Sequence, residues 1–85
     1  MNITIKKGEY YSHKASGTLE LYRSDLINRA IRQKYPAPGY ELAIMRKMIA
    51  DPKSEPVIAE FNEYNAYVER CKSAVNAAFL DIELT

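Results

Sequence analysis

Residues 54–82 read S-E-P-V-I-A-E-F-N-E-Y-N-A-Y-V-E-R-C-K-S-A-V-N-A-A-F-L-D-I. Apolar side chains recur there at Val57, Phe61, Tyr64, Val68, Cys71, Val75, Ala78 and Ile82, in alternating steps of four and three. An α-helix turns once every 3.6 residues, so all eight fall on one stripe. Ser54 is the expected N-cap, and Pro56 stands in the first turn, where a missing N–H loses no helical bond. Glu60, Glu63, Glu69, Arg70 and Lys72 make the outer face. The stripe predicts a long helix over roughly residues 55–79. Beyond it, Leu80, Ile82 and Leu84 alternate. A helical continuation and a C-terminal strand are both open for residues 80–85. The strand is favoured, because a hairpin elsewhere in the chain would need a further partner.

The stripe has two structural uses. It is either the core-facing side of a helix in its own domain or a seam between two chains. Coiled-coil seams prefer Leu, Ile or Val at their core positions, and Phe61, Tyr64, Cys71 and Ala78 are uneven knobs. The intramolecular core is therefore the primary reading. A second copy meeting Tyr64, Tyr67 or Phe79 is the mixed alternative.

Upstream of this helix the pattern changes. Ile3 and Ile5 alternate with polar residues, and Leu19 and Leu21 alternate with Thr18, Glu20 and Tyr22. Gly17 closes the turn-forming stretch between them. These features predict a β-hairpin of residues 3–11 and 18–22. Ser24 and Asp25 then open a helix whose apolar face is Leu26, Ile27, Ala30 and Ile31, ending before Tyr35-Pro36. A helix over about residues 40–50 follows, with Leu42, Met45, Met48 and Ile49 expected inside and Ile44 at the flank. The predicted fold is α+β: an N-terminal β-hairpin, three helices with the last one long, and a possible C-terminal strand. All 85 residues form one small domain.

Composition restricts the function classes without choosing one. The net charge is +1, and no stretch approaches the ~20 apolar residues of a membrane span. The opening residues lack the apolar run of a signal peptide, so the expected location is the cytoplasm. Cys71 is the only cysteine, which rules out an intrachain disulfide and a cysteine-rich zinc site. Seven tyrosines supply most of the aromatic bulk. Tyrosine buries its ring and keeps its hydroxyl near water or a partner, so a core with wet edges or an interface is expected.

No motif carries chemistry. His13, the only histidine, sits in a predicted loop without further ligands or an organised base. Glu60 and Glu63 lie one turn apart, but a solvated acidic face explains them. No cofactor or metal is implied, and an enzyme ranks last. Arg29, Arg32, Arg46 and Lys47 are candidates for a basic patch across two helices, which would bind phosphates. Tyr64, Tyr67 and Phe79 are candidates for a protein-contact surface on the long helix. Residues 23–47 carry a surplus of bases and residues 51–85 a surplus of acids, so the halves attract within one molecule or between two.

Lys34-Tyr35, the segment E-L-A-I-M-R at residues 41–46 and the segment E-F-N-E-Y-N-A-Y-V-E-R-C-K at residues 60–72 resemble small uncharacterised proteins encoded by phages and prophages. The resemblance covers residues 34–72 and implies a mobile-element origin with a role in particle assembly or host interaction. Together these readings predict a non-enzymatic interaction or assembly protein, acting on a protein partner or a second copy through the long helix. The alternative is a small nucleic-acid-binding accessory protein that uses the basic patch.

Overall fold

In a computed structural model, described for residues 3–85, the chain folds into four helices: α1 (Lys7–Ser16), α2 (Leu19–Lys34), α3 (Pro38–Ala50) and α4 (Glu55–Leu84). There is no strand among the described residues. The fold is all-α, not α+β.

α4 is the spine. Its thirty residues run unbroken through the stretch predicted as a strand, so Leu80 and Leu84 are exposed turns of a helix while Ile82 is buried. Tyr64, Cys71, Val75 and Ile82 of the stripe are buried, joined by Tyr67 and Phe79. Val57, Phe61, Val68 and Ala78 are half-buried. The other helices all pack on α4. α2 runs antiparallel along the middle and C-terminal part of α4, with Tyr22 stacked on Phe79, Ala30 beside Tyr67 and Lys34 at Glu63. α3 runs antiparallel along the N-terminal half, with Glu41 at Tyr64 and Lys47 at Glu60. α1 lies against both α2 and the end of α4.

The predicted hairpin is replaced by a helical corner. Gly17 takes φ of 72°, and the N–H groups of Gly17 and Thr18 bond to the carbonyls of Lys14 and His13. That is the reciprocal pair of a Schellman motif, which ends α1 with a left-handed residue that only glycine adopts without strain. Alternation across Thr18–Tyr22 covered too few residues to define a period. In α2, Tyr22 is buried, Leu19 half-buried and Leu21 exposed. α2 begins at Leu19, so Ser24 is an interior residue and no cap. Ile3 and Ile5 precede α1 outside any helix or strand and pack onto the core rather than pairing.

The core divides into two clusters strung along α4. One gathers Ala30, Ile31, Tyr35, Ile44, Tyr64, Tyr67 and Cys71. The other gathers Tyr10, Tyr22, Val75, Phe79 and Ile82. Ile3 and Ile27 touch both. Tyrosines brace the helices in a repeated way: each ring enters the core, and its hydroxyl donates to an acceptor on a neighbouring helix. Tyr10 on α1 donates to Glu83 on α4, and Tyr22 on α2 to Glu9 on α1 at 3.1 Å. Tyr64 on α4 donates to Glu41 on α3, and Tyr67 to the Ala30 carbonyl on α2 at 2.9 Å. The wet edges expected of a tyrosine-rich core are these carboxylates.

The molecule is a rod of 47 × 20 × 17 Å. Its radius of gyration is 15.8 Å, against about 12 Å for a compact chain of this length. The length follows from α4, since thirty residues rising about 1.5 Å each span the long axis.

Candidate interaction surface

The tyrosine and phenylalanine expected at a partner surface point inward. Tyr64, Tyr67 and Phe79 are all buried within the chain. Tyr35 meets Tyr64 and Tyr67 edge-on, at centroid distances of 5.2 and 5.8 Å. Phe79 lies between Tyr10 and Tyr22, under the Arg23 guanidinium at 5.1 Å.

Three of the four candidate phosphate-binding cations have acidic partners. Arg29 pairs with Asp25 at 2.6 Å, Arg32 with Glu41, and Lys47 with Glu60 at 3.4 Å. Arg46 is exposed and has no ion pair among the described residues. α2 and α3 both pack on α4 and make no close backbone contact with each other, Arg32 reaching Glu41 through its side chain, so they do not form a helix-turn-helix. The opposite charges of the two halves meet inside one molecule: Lys34 to Glu63 at 2.6 Å joins α2 to α4, and Lys47 to Glu60 joins α3 to α4. Glu60 and Glu63 thus face separate lysines and do not act as a carboxylate pair.

The partly buried polar centre is the cluster of Arg32, Glu41 and Tyr64. Glu41 accepts from the Tyr64 hydroxyl on one oxygen and from the Arg32 guanidinium on the other. The Tyr64 bond, with Arg32 beside it, holds the Glu41 carboxyl below its usual range. Burial, with the Glu41 bond second, pushes the Tyr64 hydroxyl up to about 12. These groups tie α2, α3 and α4 together. His13 is part of α1, not of a loop. Its Nδ1 lies 2.8 Å from Thr18 Oγ1 and its ring stacks on Tyr22 at 4.3 Å, so it secures the α1–α2 corner. Burial pushes the Cys71 thiol up, which keeps it protonated and unreactive at neutral pH. Among the described residues no three His, Cys, Asp or Glu side chains converge as a metal site. No described helix is long and apolar enough to cross a membrane.

The feature that sequence reasoning missed is on α3. Leu42, Met45 and Ile49 were expected in the core, yet they are 50%, 40% and 81% exposed. The stripe turned to α4 is Glu41, Ile44 and Met48, one residue out of step, and Ile44 is its only fully buried member. Both stripes have the same spacing, so periodicity cannot choose between them. The choice is made by Glu41, which is drawn inward by Arg32 and Tyr64. Met45, Met48, Ile49, Pro52, Phe61 and Asn65 then line an open groove of about 480 Å³ where α3 meets α4. Phe61, expected on the core-facing stripe of the long helix, is a half-buried wall of this groove. The signal available in the sequence was the surplus: α3 is apolar on two adjacent faces and α4 covers only one.

No family model, no curated protein and no solved structure matches the chain.

Proposed function

We propose that the chain is a non-enzymatic interaction or assembly protein whose contact surface is the open apolar face of α3, with Phe61 of α4 at its floor. The observation that carries this reading is the second apolar stripe. A helix that is apolar on more than one face is stable in water when both faces are covered. A contiguous exposed patch of this kind, rimmed by charged residues, marks a site of protein contact. The two methionines in the groove suit it to that role, because their unbranched side chains repack against a partner. The basic residues give the nucleic-acid alternative no comparable support, since three of the four are already paired. The resemblance of residues 34–72 adds to the proposal a partner within a phage particle or its host.

A photo-crosslinking residue placed at Ile49, and in a separate sample at the exposed α2 position Gln33, tests the surface in cells that produce the chain. Ile49 is expected to yield a discrete covalent product and Gln33 none. Equal yields at the two positions would remove the open face of α3 from consideration.

A further inference from the structure

We infer that α3 is a two-position helix, latched by Glu41 in the position that shows its second apolar stripe and able to roll so as to hide it. The inference rests on the interaction reading above and supplies the regulation of that surface.

The two positions are one residue apart. A roll of about 100°, with an axial shift of about 1.5 Å, moves each α3 side chain into the place its predecessor held. Met45 then takes the place of buried Ile44, Leu42 that of Glu41 and Ile49 that of half-buried Met48. Ile44 moves out to the place of exposed Ala43. The displacement is small for the backbone. A helical Cα atom lies about 2.3 Å from the axis, so the roll carries it about 3.5 Å sideways. Residues 36–37 and 51–53 bound α3, lie outside the helices and are exposed, so they can absorb that shift. α2 makes no close backbone contact that would obstruct it.

Apolar burial by itself favours the rolled position. It sets Leu42, Met45 and Ile49 against α4, where the latched position sets Glu41, Ile44 and Met48. Three large apolar side chains would replace two and a carboxylate. The latched position is held by polar bonds instead. Glu41 accepts from Arg32 of α2 and from Tyr64 of α4, and rolling would withdraw it from both. The Tyr64 hydroxyl would then face Leu42 with its bond unmade, which is costly at a partly buried site. The Lys47–Glu60 pair is exposed on both sides and weighs little in the choice. Burial and hydrogen bonding therefore pull the same helix toward two discrete packings, the condition for a bistable element. A partner that grips Leu42, Met45 and Ile49 binds only the latched position, so the latched fraction sets its apparent affinity.

Methyl NMR of the full chain with a water-soluble paramagnetic probe reads which stripe faces solvent. In wild type the probe is expected to broaden the methyl signals of Met45 and Ile49 and to spare that of Ile44. Glu41→Lys sets a cation beside Arg32, and Arg32→Gln removes the latch from the α2 side. Both variants are expected to exchange the pattern, with Ile44 broadened and Met45 spared. Ile44 still spared in both variants overturns the latch. Ile44 and Met45 broadened together show α3 detaching rather than rolling, and overturn it as well. If circular dichroism shows one variant unfolded, the other decides; if both unfold, the rolled packing does not exist. The crosslink at Ile49 separates this inference from the reading it rests on. A discrete product in wild type without the methyl exchange keeps the interaction surface and ends the roll. The exchange without a product ends the interaction surface and keeps the roll.

Discussion

Phe79→Ala is expected to lower the unfolding free energy by about 3–5 kcal/mol, read as a shift of the urea midpoint followed by circular dichroism. Phe79 stands where α1, α2 and α4 converge. It touches Tyr10 edge-on at 5.2 Å, stacks on Tyr22 at 5.9 Å and lies beneath Arg23. Its removal leaves a cavity that none of these can fill, because the hydroxyls of Tyr10 and Tyr22 are tied to Glu83 and Glu9. A chain of 85 residues has only about 4–13 kcal/mol of stability in total, so the substitution removes a large share of it. Leu21→Ala serves as the control, since Leu21 of α2 is exposed and should move the midpoint little. A loss below about 1 kcal/mol at Phe79 would mean that α1 is not docked as described.

Glu41→Ala is expected to cost about 1.5–3 kcal/mol, because it strands the Arg32 guanidinium and the Tyr64 hydroxyl at the junction of three helices. The effect should depend on pH at both ends of the range. The folded state holds the Glu41 carboxyl below its ordinary value of 4.5. The stabilisation from its charge is therefore complete above that value and is lost as the pH falls through the lower, folded one. Tyr64 works in the opposite direction. Its hydroxyl is raised from 10.0 to about 12, so its contribution is complete below pH 10 and disappears as the pH rises toward 12. Denaturation curves across these windows should show a shallower acid slope for Glu41→Gln than for wild type. Parallel acid slopes in the two proteins would show that Glu41 does not carry the acid-side linkage.

The long helix was legible because its stripe repeats over many turns, which no other secondary structure accommodates. The C-terminal residues were less so. Leu80, Ile82 and Leu84 alternate as a strand does, while Ile82 alone continues the helical stripe, and the helix wins by carrying the contacts of Val75 and Phe79 on to Ile82. The N-terminal region was misread for a related reason. Gly17 serves a turn or a helix C-cap, and the nearby His13 and Lys14, which suit the last turn of a helix, were the cue for the cap. The candidate surface was not legible from α3 alone. Its orientation depends on Arg32 and Tyr64, which lie on other helices and become neighbours of Glu41 only after α2 and α3 have both docked on α4.

Two core clusters on a single spine also give the rod a gradient in time. α3 is anchored by one fully buried side chain, Ile44, together with the Glu41 and Lys47 bonds. α4 near Cys71 and Val75 is shared between both clusters. Amide protons of α3 should therefore exchange with solvent through local detachment, while those at the middle of α4 wait for the whole chain to open. Covering the Leu42, Met45 and Ile49 stripe would close that route. The exchange rate of α3 would then fall as occupancy of the face rises, making its amide protons a clock for how long the partner stays.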